Sequence, residues 1–256
     1  MHFDWPYFWN QLLHPQGVFL EGLWLTILVS VSGQALGLAI GLPMALARMS
    51  RHPVLSCAAR AYILLVRGTP LLVQIVFIYT GLAAANILHF QDLRAGPFAL
   101  AGNVQAGILA LGLNEGAYMA EIFRAGMEAV DRGQTEAAKA LGMPPAMILR
   151  RIVLPQALRI VLLSIGNQFN IMLKNSTLVS VIGVSEMLLV TETINSATFR
   201  TFELYSVLGI YFLVLTSIWS LLLRWIEHRM DAGRNREALA GPMPQAIAGP
   251  ALSELA

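Results

Sequence analysis

Five stretches of this chain, 23–47, 70–89, 98–118, 152–173 and 207–226, are mainly apolar and close to the ~20 residues that a helix needs to cross a bilayer. Hydrocarbon offers no partner to an unpaired backbone group, so a segment of this kind is committed to a helix that pairs its own N–H and C=O groups. A further apolar block, 178–190, is 13 residues long and contains Gly183 and Glu186, which reads as a short or re-entrant segment. Only 12% of the residues are charged, against about 25% in soluble domains. The composition therefore predicts an all-α membrane protein of five transmembrane helices.

Orientation follows from the basic residues near span ends. With the C-terminus in the cytoplasm, Arg48, Arg51, Arg60, Arg67, Arg124, Arg132, Lys139, Arg150, Arg151, Arg159, Arg224, Arg229, Arg234 and Arg236 fall inside. Arg94 and Arg200 fall outside, and Lys174 lies within the bundle. The expected arrangement is N-out and C-in. A net charge of +2, with no basic face, gives no footprint for nucleic acid.

The chain divides into an interfacial or periplasmic segment 1–18, a membrane domain 19–228, and a tail 229–256 whose Ala/Gly/Pro-rich composition predicts disorder. Phe3, Trp5, Tyr7, Phe8 and Trp9 suit an aromatic belt at the membrane surface. The lone Cys57 reads as a packed, inert thiol. The five histidines show no ligand spacing, so no metal is expected.

Between the third and fourth spans lie some thirty residues, far more than the ~2–8 that join neighbouring helices. Within them, 129–151, the sequence reads as a short helix, a stop and a second helix start. Thr135 is expected to cap the first helix, with Glu136 in its first turn, and Gly142 supplies the left-handed terminus. Pro144 suits the first turn of the second helix, and Pro155 bends the chain into the next span. Ala137, Ala138 and Leu141 form a small apolar face that another protein can approach closely.

Glu136-Ala137-Ala138, then Gly142, then Ile152-Val153-Leu154-Pro155 resembles the EAA loop of binding-protein-dependent ABC importer permeases. The runs Arg67-Gly68-Thr69-Pro70-Leu71-Leu72-Val73-Gln74, Ala117-Tyr118-Met119-Ala120-Glu121-Ile122-Phe123-Arg124 and Leu154-Pro155-Gln156-Ala157-Leu158-Arg159 look like the polar amino acid type, which includes histidine, arginine, glutamine and opine importers. Leu163-Ser164 departs from the proline pair of many such sequences. The resemblance implies a type I ABC importer permease fold in the bacterial inner membrane, with cytoplasmic coupling helices. It implies that Glu136, Ala137, Ala138, Leu141, Gly142, Pro144, Leu154 and Pro155 couple the spans to a partner ATPase. The chain itself would bind no cofactor, with ATP and Mg held by the partner. Further partners implied are a dimer of nucleotide-binding subunits, a second permease subunit, identical or paralogous, and a periplasmic or lipid-anchored substrate-binding protein.

Polar groups inside spans are costly, at ~2.5–3.5 kcal/mol for a charge at the helix centre, so each needs a partner or a water-filled path. Asn114, Glu115, Gln168, Lys174, Ser176 and Thr177 are the candidate substrate contacts. In one reading Asn114 and Glu115 meet a substrate's amino or side-chain groups and Lys174 its carboxylate. In the other, Glu115 pairs with Lys174 and the amides bridge helices. Glu121 and Arg124 are expected to form an ion pair framing the loop, and 67–70 a turn at a span entry. The sequence has no phosphate-binding loop and no nucleophile–base set, so the chain is not expected to be an enzyme. An ion-gradient-driven carrier or a channel subunit is the alternative function; neither requires a coupling loop.

Overall fold

A computed structural model describes residues 3–95 and 98–240. The elements in chain order are α1 (Trp5–Leu13), α2 (Gly17–Arg48), α3 (Pro53–Arg67), α4 (Leu71–Val76), a π-helical turn (Phe77–Gly81), α5 (Leu82–Ala84), the strands β1 (Leu93–Ala95) and β2 (Phe98–Leu100), and α6 (Gly102–Glu128). Then come α7 (Arg132–Ala140), α8 (Pro145–Ile148), a second π-helical turn (Leu149–Val153), α9 (Leu154–Asn175), a 3-10 helix (Ser176–Ile182), α10 (Met187–Thr198) and α11 (Thr201–Ala240). The strands form one antiparallel hairpin with Arg94 opposite Ala99.

The bundle is organised around α2 and α6, which approach along a seam of small residues. On α2, Gly33, Gly37 and Gly41 recur every four residues and so share one face. A Cβ on Gly37 would lie 2.5 Å from Glu115 Cγ, one on Gly33 would lie 3.1 Å from Leu111 Cβ, and one on Gly41 would strike Met119. The seam is reciprocal, since a Cβ on Gly112 would meet Leu36, and one on Gly116 would meet Ile40 and Tyr62. Small residues at this spacing replace the hydrophobic drive that lipid does not supply, letting backbones approach until van der Waals contact holds them. α9 packs on α6 where Gly126 admits Val161, and α11 packs on α9 where Gly166 admits Leu223. Trp219 Nε1 donates to the Gly166 carbonyl at 2.7 Å, and Asn170 donates to Ser220 at 3.0 Å across the same pair.

The apolar blocks and the helices agree unevenly. Blocks 23–47, 152–173 and 207–226 lie within, or within two residues of, α2, α9 and α11. Block 70–89 is helical only to Ala84, where the chain turns and Asn86 takes φ 55°. Block 98–118 starts in β2, and its helix, α6, runs on to Glu128. By length and composition α2 and α11 can each cross a membrane, and so can two bent pairs, Pro53–Arg67 with Leu71–Ala84 at 105° and Pro145–Ile182 with Met187–Thr198 at 53°. The 27-residue α6 is long enough to cross but carries Glu115, Glu121, Arg124 and Glu128. The helix α3 stands where no element was expected, and it leaves Cys57 exposed rather than packed.

The short block 178–190 is divided. Gly183, at φ 79°, ends the 3-10 helix, and Glu186 caps α10 by accepting from the Leu188 and Leu189 amides at 3.0 Å each. At the chain start, Asp4 caps α1, accepting from the Tyr7 amide at 3.0 Å and pairing with Arg200. The Arg200 guanidinium, followed by the Tyr7 amide, holds the Asp4 carboxyl below its ordinary value. The aromatic residues of this segment pack on one another and on Phe202, and Tyr211 donates to the Leu12 carbonyl at 3.0 Å. Part of the tail, up to Ala240, continues α11; positions 241–256 lie outside the described residues.

Candidate functional site

Two regions carry the candidate residues, and α6 and α9 connect them. The first is a polar cluster deep in the bundle. Glu115 is 2% exposed and Asn114 7%, held on the α6 face that meets α2 and α4. Gln168 Nε2 on α9 donates to Glu115 Oε2 at 3.2 Å. Asn114 Nδ2 donates to Gln74 Oε1 at 3.0 Å, and Gln74 in turn donates to the Val66 and Thr69 carbonyls at 2.7 and 3.1 Å. Gln34 on α2, 7% exposed, lies beside Glu115 and donates to Met119 Sδ at 3.9 Å. Glu115 Oε1 and Gln34 Oε1 are both buried without a hydrogen-bond partner. Buried polar atoms are rarely left so, because each unmade bond costs about 1–3 kcal/mol. Two acceptors with spare capacity suit a ligand that brings N–H donors.

Of the six candidate contacts, the structure brings Asn114, Glu115 and Gln168 together and leaves three apart. Lys174 is exposed, six residues or ~9 Å along α9 from Gln168. Ser176 and Thr177 turn their hydroxyls onto the Leu173 and Lys174 carbonyls. Glu115 therefore does not pair with Lys174; its partner is an amide. Gln34 is not among the sequence candidates and Gln74 enters there only as the end of the 67–74 run, although each is a polar residue interrupting an apolar run.

The second region is the segment between α6 and α9. Its first helix begins a turn earlier than expected, because Asp131 caps α7 by accepting from the Gly133 amide at 2.6 Å. Thr135 is consequently interior and Glu136 falls in the second turn. The end is as expected: Gly142 takes φ 75°, its amide donates to the Lys139 carbonyl at 2.9 Å, and the Met143 amide to Ala138 at 3.1 Å. That pair of bonds is the Schellman closure, which the left-handed glycine permits. Pro144 is the cap of α8 and Pro145 its first-turn residue, one position later than anticipated. Pro155 does not bend the chain at its own position. It lies in the first turn of α9, where its missing N–H costs least, directly after the π-helical turn. Ala138 is buried, whereas Glu136, Ala137, Gly142 and Pro144 are exposed and Leu141 is 82% exposed. Glu136 and Lys139 line a cavity of roughly 470 Å³ under the end of α6.

Between the two regions, on α6, stands Glu121. Arg124 donates to it at 3.1 Å as expected, but Arg48 of α2 also pairs with it and Arg67 of α3 approaches to 3.9 Å. One carboxylate thus ties three helices below the polar cluster.

The sequence model of the family described as binding-protein-dependent transport system inner membrane component matches residues 37–232. The glutamine transport system permease protein GlnP of Escherichia coli strain K12 is 36% identical over 230 residues, which are 90% of this chain and 99% of that protein. The octopine transport system permease protein OccM of Rhizobium radiobacter is 38% identical over 242 residues, 93% of this chain and 95% of that one. A solved structure described as an amino acid ABC transporter with histidines superposes with a TM-score of 0.77 at 37% identity, covering 90% of this chain and all of that one.

Proposed function

From the premise that this chain belongs to the binding-protein-dependent transport system inner membrane components, we propose that it is the permease subunit of an ATP-driven ABC importer of polar amino acids or their derivatives, such as opines. The observation that carries the mechanism is a connection. An exposed helix–turn–helix, 132–148, joins the two helices that hold Glu115 and Gln168. Movement of that segment is movement of the polar cluster.

The proposed topology has five crossings: α2; α4–α5, entered through α3 at the cytoplasmic surface; α6; α9 with the 3-10 helix and α10; and α11. The N-terminus lies in the periplasm and the C-terminus in the cytoplasm. This places 129–151 beside a cytoplasmic dimer of nucleotide-binding subunits, which hold and hydrolyse ATP with Mg. Ala137 on α7 and Leu141 at its C-cap, both exposed, form the docking face, Gly142 sets the turn between α7 and α8, and Leu154 and Pro155 return the motion to α9. A second permease subunit, identical or paralogous, completes the pathway, and a periplasmic or lipid-anchored binding protein delivers the substrate.

In the bundle, the substrate's ammonium or side-chain N–H groups meet Glu115 Oε1 and Gln34 Oε1, whose acceptor capacity is unused. Gln168 positions the Glu115 carboxylate, and Asn114, bonded to Gln74, the neighbouring wall. Lys174, with Ser176 and Thr177 beside it, meets the substrate carboxylate further along α9. ATP-driven closure of the partner subunits then exposes the cluster alternately to the two sides. An ion-gradient carrier would need the cluster but not the 132–148 segment.

Two substitutions test these roles separately. Glu115→Gln keeps size and removes charge, and loss of a charged hydrogen bond worth about 1.5–3 kcal/mol is expected to weaken substrate binding to the purified complex roughly 10- to 150-fold. Unchanged binding and transport would remove Glu115 from the site. Gly142→Asp is expected to abolish transport while leaving the chain inserted. If ATPase association and substrate-stimulated hydrolysis both survive it, the coupling role is wrong.

A further inference from the structure

The helix α3 has three faces with different chemistry. Ser56, Ala59 and Ile63 are buried against the bundle. On the outward side, Val54, Leu55 and Leu65 are 67%, 51% and 66% exposed, an apolar face left open among the described residues. Between the two runs a ridge of Arg60, Leu64 and Arg67 at i, i+4 and i+7. A helix with an outward apolar face flanked by arginines has the pattern of one lying in a membrane–water interface.

That ridge borders a cavity of roughly 530 Å³ lined by Arg48, Arg60, Arg67 and Tyr118, with Ile63 and Leu64. Arg67 stacks its guanidinium 5.1 Å from the centre of the Tyr118 ring. Arg48 and Arg67 share Glu121 with Arg124, and Arg124 also takes Glu128, so three arginines share two carboxylates. Arg60 donates to the Ser56 hydroxyl at 2.7 Å and its carbonyl at 3.3 Å, and among the described residues no carboxylate lies within ion-pair distance of it. The cavity thus carries excess positive charge beside an apolar face, and Leu64, 73% exposed, lies at its mouth.

We infer that this cavity holds the headgroup of an anionic phospholipid of the cytoplasmic leaflet, with Arg60 as its principal phosphate partner and its acyl chains along Leu64 and Leu65. A phosphodiester fits two or three converging guanidiniums, which bond its oxygens in a fork that an ammonium cannot match. A zwitterionic headgroup would bring its own cation into a site already rich in positive charge. A soluble anion would use the arginines but leave the apolar face uncovered, which is why a lipid is favoured. The inference rests on the transport reading only for the orientation of α3 at the cytoplasmic surface.

The test uses the permease complex with its ATPase in nanodiscs of phosphatidylcholine with about one quarter phosphatidylglycerol, and native mass spectrometry after detergent release counts the lipids retained. The wild-type complex is expected to retain phosphatidylglycerol in preference to phosphatidylcholine. Arg60→Gln should lower that retention about fivefold, the effect of one basic contact at a membrane surface, with partial recovery in Arg60→Lys. Co-elution with the ATPase verifies that each variant is folded. Equal retention of both lipids by the wild type overturns the inference, as does Arg60→Gln retaining phosphatidylglycerol like the wild type. Displacement of the lipid by inorganic phosphate or ATP at equal concentration would mark a soluble-anion site and also overturn it. A wild-type complex that retains none, because a partner subunit fills the cavity, does the same. Retention is read without transport, so failed uptake with intact lipid selectivity would sink the transport reading alone.

Discussion

Substituting alanine for Gly37 adds a single methyl group at the narrowest point of the α2–α6 seam. The new Cβ would lie 2.5 Å from Glu115 Cγ, 2.6 Å from its Cβ and 3.3 Å from its backbone carbon. Carbon atoms pack at about 3.5–4.0 Å, so relief requires a displacement of roughly 1 Å. A rotamer change cannot supply it, because Glu115 Cβ and the backbone do not swing away. The helices must separate, and Gly33 and Gly41 on the same face lose their contacts with Leu111 and Met119. Overpacking of this kind costs about 1–3 kcal/mol. The same shift pulls Glu115 from Gln168, now at 3.2 Å, so uptake should fall together with stability. The assay pairs thermal inactivation of the detergent-solubilised complex with uptake in proteoliposomes, using Gly209→Ala as control because a Cβ there meets nothing within 4 Å. Gly37→Ala is expected to lower the inactivation temperature and uptake while Gly209→Ala changes neither. Wild-type behaviour in Gly37→Ala would refute the tight seam and the placement of Glu115 against it.

Other perturbations separate the remaining parts. Asp131→Ala removes the α7 cap, costing about 1 kcal/mol of local helix stability, and should raise amide exchange across 132–140 while leaving α6 protected. The Asp4–Arg200 pair stabilises the docking of α1. Because the Asp4 carboxyl is held below its ordinary value of about 3.9, that contribution is fully present above this pH and is lost as pH falls through the lowered value. Arg200→Gln should therefore move acid release of α1, followed by Trp5 and Trp9 fluorescence, to higher pH; an unmoved transition would contradict the pairing. Glu121→Gln weakens three arginine contacts on α2, α3 and α6 at once and should loosen α3, read as faster cleavage in the 67–70 turn.

What the sequence made legible was set by the kind of signal each element carries. Long apolar runs marked α2, α9 and α11, and the spacing Glu136, Gly142 and Pro155 marked the connecting segment, because a left-handed glycine and a helix-starting proline leave local signatures. The helix α3 leaves no such run, because its apolar residues interleave with Arg60 and Arg67, which breaks a run without breaking a helix. The start of α7 is ambiguous in the sequence because Thr135 and Asp131 are both acceptable caps; the structure uses Asp131. Gln34 and Gln74 could have been found by asking which polar residues interrupt apolar runs, and the Gly33, Gly37 and Gly41 spacing was readable as a packing seam. That Glu115 meets Gln168 rather than Lys174 was not readable, since it depends on the rotation of α9 against α6, a tertiary quantity.

The most direct measurement is uptake of labelled glutamine or arginine by proteoliposomes containing this chain, its ATPase and its binding protein. Uptake should require ATP inside and binding protein outside, persist when ion gradients are collapsed, and disappear in Gly142→Asp. Uptake that follows an imposed ion gradient without ATP, and survives Gly142→Asp, would contradict the coupling of the 132–148 segment to transport.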